Sequence, residues 1–216
     1  RLLMDAIVPG GVARDLAPAD AGRIRDECAA LEREVRIVRD IYDEHAGVQD
    51  RFRNCGRVTP ALARQLGLTG LPGRASGQAF DLRCDLPVAP YYALDVRMVT
   101  SDGGDVAARV AVRFDEITES LRLVRTILDA LPHGDVRAAV SAVDEFRQGI
   151  GLVEGWRGPV MIALTSGPGG SIRRCHPHDP SWANWPVLEH AIIDNIVPDF
   201  PLINKSFNLS YSGHDL

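Results

Sequence analysis

Cys175-His176-Pro177-His178-Asp179 puts a thiol, two imidazoles and a carboxylate within five consecutive residues, on paper a donor set for a divalent metal. Adjacent ligands interrupted by proline do not converge readily on one ion, and a zinc site asks for about four donors in tetrahedral array. A polar loop with no metal is the expectation. The other cysteines, Cys28, Cys55 and Cys84, are 27 and 29 residues apart, with 91 more to Cys175, so neither a zinc ribbon nor a Cys-x-x-Cys redox pair can be read. Reduced structural thiols follow. His214-Asp215 has the composition of a proton relay, and equally that of a solvated terminal pair. Gly167-Pro168-Gly169-Gly170 lacks the Lys-Ser/Thr and the strand-to-helix setting of a phosphate loop and reads as a hairpin turn, and Gly73 to Gly77 fails the dinucleotide fingerprint. No nicotinamide site is expected on this chain.

These groups must be positioned by elements that the periodicity announces. After Pro18, apolar residues at Ile24, Cys28, Leu31, Val35, Val38 and Tyr42 step by 4, 3, 4, 3, 4, which predicts a long amphipathic helix with Gly47 just past its end. Thr59 and Pro60 suit the N-cap and first turn of a short helix that Gly67 stops. A second long helix is predicted from Val106 to Leu131, with a buried stripe of Val110, Phe114, Ile117, Leu121, Val124, Leu128 and Leu131, ended by Pro132. Each long helix needs a partner for its apolar seam, so the two should pack as neighbours in a bundle. Alternation at Val160, Ile162 and Leu164 predicts a β-hairpin between Gly151 and Cys175. A shorter helix is expected from Pro186 to Ile196. The fold class is α+β, mainly helical: a helix bundle with a small β-hairpin.

The 216 residues can bury a sizeable core as one domain, residues 1–216. The chain starts at Arg1, and Leu2 to Val12 reads as the inside of a fold, so a C-terminal part of a longer subunit is expected, with an upstream half missing. A net charge of −5 argues against a nucleic-acid footprint, and no apolar run reaches the roughly 18 residues of a membrane span. Membrane association would come through partners.

Four ordered blocks carry a resemblance. They are Ile7-Val8-Pro9-Gly10-Gly11-Val12; Gly73-Arg74-Ala75-Ser76-Gly77 with Asp81-Leu82-Arg83, Pro90-Tyr91 and the helix residues Arg113, Glu116, Ser120 and Leu121; Val153-Glu154-Gly155-Trp156-Arg157-Gly158; and Asp179-Pro180-Ser181 with Asn184-Trp185 and the tail from Asp199. In that order they resemble the large subunit shared by nickel-iron hydrogenases and the complex I 49-kDa subunit. The likeness is strongest to membrane-bound, energy-converting and hydrogenase-4-like large subunits. In the hydrogenases of that family the tail carries Asp-Pro-Cys-x-x-Cys, whose thiolates hold nickel and iron; the complex I subunit has lost this chemistry. Here the matching run is Asn208-Leu209-Ser210-Tyr211-Ser212-Gly213. A serine hydroxyl is a hard, weak ligand and glycine offers none, so a soft thiolate centre cannot form.

The resemblance implies a subunit of a membrane-associated oxidoreductase, peripheral on the cytoplasmic side of the inner membrane. Electrons would pass from an iron-sulfur cluster in a partner small subunit to quinone in a cavity between the two, alongside complex I-like peripheral and membrane subunits. NAD would be bound by another subunit. It also points to Arg83, Arg157, Asn208, Ser210 and Gly213 as cluster- or quinone-proximal, the last three lining a former metal pocket that either takes a quinone headgroup or is a repacked turn. Arg157 is either a fixed cation stabilising a reduced centre or a structural partner of Glu154. Arg83 either lies near the interface with the small subunit or is an ordinary surface residue. Leu3 stands where many complex I subunits carry a histidine close to the terminal cluster. The catalytic residues are unknown at this stage. Two alternatives remain: a working hydrogenase, against which the missing cysteines speak, and a redox-inactive scaffold of an ion-translocating membrane complex.

Overall fold

The structure is a computed structural model that describes residues 6–141, 143 and 146–215. A two-residue ladder, β1 (Ile7–Val8) against β2 (Gly11–Val12), leads into α1 (Pro18–Glu44), α2 (Ala46–Phe52), α3 (Pro60–Gln65), α4 (Gly70–Arg74), α5 (Leu82–Asp85) and α6 (Val106–Asp129). An antiparallel sheet in the order β3 (Gln148–Gly155), β4 (Gly158–Ser166), β5 (Ile172–His178) precedes α7 (Ser181–Ala191), α8 (Phe200–Phe207) and α9 (Tyr211–His214). The α+β class with helix dominant is as expected. Leu3 lies outside the described residues. The opening ladder is less enclosed than expected, with Ile7 85% exposed.

The two long helices do pack together, and they run antiparallel. Arg25 at the start of α1 meets Asp129 at the end of α6 at 2.8 Å, Glu32 meets Arg125 at 2.6 Å, and Tyr42 lies 5.9 Å from the ring of Phe114. The contact face of α1 uses Ile24, Cys28, Val35 and Tyr42, whereas Leu31 and Val38 from the predicted seam are about half exposed. A step of 3.5 drifts across a straight helix of 3.6 residues per turn, so one stripe cannot stay in contact over this length. Gly47 does not follow a helix end but sits in the first turn of α2. The break falls at His45, whose Nδ1 accepts the Val48 N–H at 3.2 Å.

The buried face of α6 differs from its predicted stripe: Leu121 and Leu128 are buried as expected, whereas Val124 is exposed and Leu131 is exposed beyond the helix end. Its deepest residues are Val106, Ala108, Arg109, Val112, Leu121, Leu123 and Leu128, because α1, α4 and α8 all pack on it. Asp105 caps it, accepting the Ala108 N–H at 2.8 Å and the Asn54 N–H at 2.8 Å. The main core gathers Cys55, Val58, Ala63, Leu68, Val106, Val187, Leu188, Ala191, Ile203 and Phe207. Thr59 caps α3 as read, accepting the Leu62 N–H at 3.3 Å.

The expected hairpin is β4 and β5, turned at Gly167 to Gly170, and the sheet gains a third strand, β3, on its other side. β5 also runs on: Cys175, His176, Pro177 and His178 pair with Leu164, Ala163, Ile162 and Met161 rather than forming a polar loop. An edge strand tolerates Pro177, which has no N–H to offer. α7 begins at Ser181, where the Asp179 carboxylate accepts the Ser181 N–H at 2.8 Å, and Pro186 lies inside it rather than at its start. Burial of Val187, Leu188 and Ala191 outweighs the one backbone bond that the proline removes.

Gly104 marks the tightest crossing of the core. Its φ is +67°, and a Cβ there would stand 1.9 Å from the Val58 carbonyl oxygen. Gly104→Ala should therefore lose about 3 kcal/mol or more of stability in equilibrium urea unfolding, from strain plus backbone displacement. Gly67 has nearly the same φ, +68°, but open space around it, so Gly67→Ala should lose only about 1 kcal/mol.

Candidate functional site

Arg74, at the end of α4, is 2% exposed and gathers carboxylates from three other segments. Its Nε donates to Glu116 of α6 at 2.6 Å, and its Nη1 donates to Glu154 of β3 at 3.0 Å and lies 3.7 Å from Asp81. Asp81 is fully buried, pairs with Arg83 at 2.6 Å and caps α5 by accepting the Arg83 N–H at 2.9 Å. The second Glu154 oxygen accepts the Leu82 N–H at 3.2 Å. Burial opposes charge on Arg74, yet the Glu116 hydrogen bond and the Glu154 and Asp81 charges outweigh it and hold its pKa up. Asp81 likewise feels burial first, but its two hydrogen bonds from Arg83 keep its carboxyl below the usual range. For Glu154, burial wins over Arg74 and pushes the carboxyl up.

A second cluster forms where the β3–β4 hairpin meets the tail. Gly155 and Gly158 pair across the turn, leaving Trp156 and Arg157 at its tip. Arg157 Nε donates to the Asn208 carbonyl at 2.5 Å, and the pairing with Glu154, one of its two alternatives, does not form; Glu154 is committed to Arg74. Asn208 ends α8 in the left-handed region at φ +55°. Ser210 caps α9, its Oγ accepting the Gly213 N–H at 3.0 Å, while its own N–H donates to Ser181 Oγ at 3.0 Å and its carbonyl accepts the Trp185 indole at 3.4 Å. Gly213 is buried, and a Cβ there would fall 2.5 Å from Asp179 Cγ and 2.7 Å from Oδ2. The tail donor set therefore does not fit a nickel-iron centre: one position offers a hydroxyl already in use, the other a backbone pressed against a carboxylate.

The structure thus brings Arg157, Asn208, Ser210 and Gly213 together and leaves Arg83 in the Arg74 cluster. Glu154 and Arg83 stand in the walls of both adjoining clefts. One is an apolar groove of about 550 Å³ bounded by Leu86, Val88, Ile150 and Leu152, and the other, of about 390 Å³, reaches Arg113 and Trp156. His214 and Asp215 are both exposed. All four cysteines are unpaired, and burial pushes the Cys55 and Cys84 thiols up, away from the reactive thiolate. No group of three or more His, Cys, Asp and Glu side chains able to hold a metal occurs among the described residues.

Sequence reasoning missed the roles of Arg74 and Arg109. Arg109 is fully buried, donating to Ser206 Oγ at 2.8 Å and to the Gly104 and Gly56 carbonyls at 2.8 and 2.9 Å, with its guanidinium 4.3 Å from the Phe207 ring centroid. Burial pushes its pKa down to about 9, so it stays charged at neutral pH. The available signal was an arginine at helical spacing between Val106 and Val112, on a face that should be apolar.

Arg74→Met leaves the buried carboxylates without their cation and should cost about 3–5 kcal/mol at neutral pH. The deficit should shrink as pH falls, since Glu154, already raised, takes up a proton and relieves the repulsion. Asp81 works in the opposite sense in the wild type. Its low folded pKa adds stability above the ordinary carboxylate range, and this is lost as pH falls through that folded pKa. Urea unfolding across the acid range, wild type against variant, checks both signs.

Residues 1–149 match the family described as the respiratory-chain NADH dehydrogenase 49 Kd subunit. Formate hydrogenlyase subunit 5 of Escherichia coli (strain K12) is 31% identical over 206 residues, covering 95% of this chain and 36% of that protein. An NADH-quinone oxidoreductase subunit from Syntrophobacter fumaroxidans is 32% identical over 204 residues, 93% of this chain and 54% of that one. A chain in the structure of the membrane-bound sulfane sulfur reductase, an archaeal respiratory membrane complex, superposes with a TM-score of 0.89 at 26% identity, over 97% of this chain and 59% of that one. The chain thus spans between about a third and three fifths of the length of these relatives. With the family matched over more than half of its length, the chain belongs to the respiratory-chain NADH dehydrogenase 49 Kd subunit family.

Proposed function

We propose that this chain is part of a subunit of a membrane-associated respiratory oxidoreductase, NADH-quinone oxidoreductase-like or hydrogenase-4-like. It helps pass electrons from an iron-sulfur cluster in a partner small subunit to quinone, and its own nickel-iron site is lost. The observation that carries the reading is the tail: the family fold is retained while Gly213 packs on Asp179 where a thiolate would have to stand. NAD is handled by another subunit, and the chain sits peripherally, on the cytoplasmic side of the inner membrane; no helix among the described residues is long and apolar enough to cross it.

The chain's own contribution is electrostatic and positional, since the redox chemistry belongs to the cofactors. Arg157 is held by the Asn208 carbonyl and makes no ion pair among the described residues, so it presents a fixed positive charge beside the tail. Such a charge favours the reduced, more negative state of a nearby centre. Arg83 is already neutralised by Asp81, which leaves it a positioning role.

Affinity purification of the intact subunit from solubilised native membranes, with mass spectrometry, should recover an iron-sulfur small subunit and antiporter-like membrane subunits, in a complex that reduces quinone. Membrane subunits without any cluster-bearing partner would overturn electron transfer and leave a redox-inactive scaffold. For the lost metal site, Ser210→Cys/Gly213→Cys should fail to acquire nickel by elemental analysis, because the new Cβ at 213 meets the Asp179 carboxylate. Stoichiometric nickel in that variant would show the pocket to be intact.

A further inference from the structure

We infer that the cleft between the hairpin tip, α6 and α8 is a binding site for a small organic anion with an apolar body. The cleft adjoins the tail cluster, sharing Asn208 with it, and the inference does not require the electron-transfer reading. The cleft holds about 350 Å³, within the range of small-molecule pockets. Its walls are Phe52, Val110, Leu202 and Trp156, and its charged lining is Arg113 and Lys205, with no Asp or Glu among the described residues that bound it.

Arg113 differs from the other enclosed arginines. Arg74 has three carboxylates and Arg83 has one, while Arg109 has three close acceptors and the Phe207 ring face. Arg113 reaches only carbonyls, Ser206 O at 3.0 Å and Arg109 O at 3.4 Å, and forms no ion pair among the described residues. A guanidinium carries five N–H donors, so most of its capacity is unspent. Burial lowers its pKa, and the Glu116 charge nearby offsets this only in part. Glu116, one turn on, is drawn away to Arg74 at 2.6 Å. Lys205 is exposed at the rim and likewise makes no ion pair among the described residues. A partly buried cation with no counter-charge in direct contact is unfavourable, and a bound carboxylate or sulfonate offsets it through charge-assisted hydrogen bonds. The Trp156 indole, Phe52 and the aliphatic wall accept the rest of such a ligand.

Isothermal titration of the purified intact subunit with naphthalene-2-carboxylate and with its neutral amide tests the site. The carboxylate should bind at least about tenfold more tightly than the amide, the worth of one charge-assisted hydrogen bond. Lys205→Glu should weaken the carboxylate about tenfold or more and leave the amide within about twofold. Arg113→Gln should remove the preference for the carboxylate. The exposed position of Lys205 keeps the test valid if the Arg113 variant does not fold. Equal affinity for the two probes, no effect of Lys205→Glu, or no binding at about 1 mM would each overturn the assignment.

Discussion

Arg74 and the carboxylates around it are the constraint on which the rest of the molecule depends. A guanidinium taken out of water is stabilised only when its partners are placed well enough to offset desolvation, and here they come from the start of α5, from α6 and from β3. Removing one partner strands the others, so the network is all-or-none in a way that apolar packing is not. Its geometric consequence is large. Glu154 ties the turn end of the β3–β4 hairpin to the bundle and so dictates where the hairpin tip falls. That position lets Arg157 reach the Asn208 carbonyl.

The tail follows from the same placement. Gly70 allows the hairpin to approach closely, since a Cβ there would fall 2.0 Å from the Arg157 carbonyl oxygen. Asn184 then couples α7 to this corner, accepting the Thr69 N–H at 3.1 Å and donating to its carbonyl at 3.3 Å. The run from Asn208 to Gly213 is drawn into this corner by backbone contacts: Ser210 on Ser181, and Gly213 on Asp179. The corner is rich in cations that form no ion pair among the described residues, Arg157, Arg113 and Lys205, which makes it locally positive.

Much of the fold was legible from local signals. The cap at Thr59 and the turn at Gly167 are decided by side chains and dihedrals within a few residues, and they form as read. The departures share one physical cause, burial supplied by distant elements. β5 runs on through Cys175 to His178 because β4 offers a ladder to a segment whose own composition suggests a loop. α7 runs through Pro186 because its apolar face meets the main core. Leu31 and Val38 fit the α1 periodicity yet stay exposed, because the partner helix covers only a drifting strip.

The candidate site divides in the same way. The sequence by itself determined the donor chemistry of the tail, since Ser210 and Gly213 offer no thiolate in any conformation. It also determined the two long helices and the order of motifs that carry the family resemblance. Only the tertiary structure decided which charges meet. Glu154 could pair with Arg157 three residues on or with Arg74 eighty residues away, and the hairpin reverses direction between 154 and 157, so the distant partner wins. Arg109 enclosed without a carboxylate, Arg113 left with spare donors and Gly213 closed against Asp179 were likewise settled by packing. Coulombic and steric terms depend on distance in space, and spacing along the chain does not encode it.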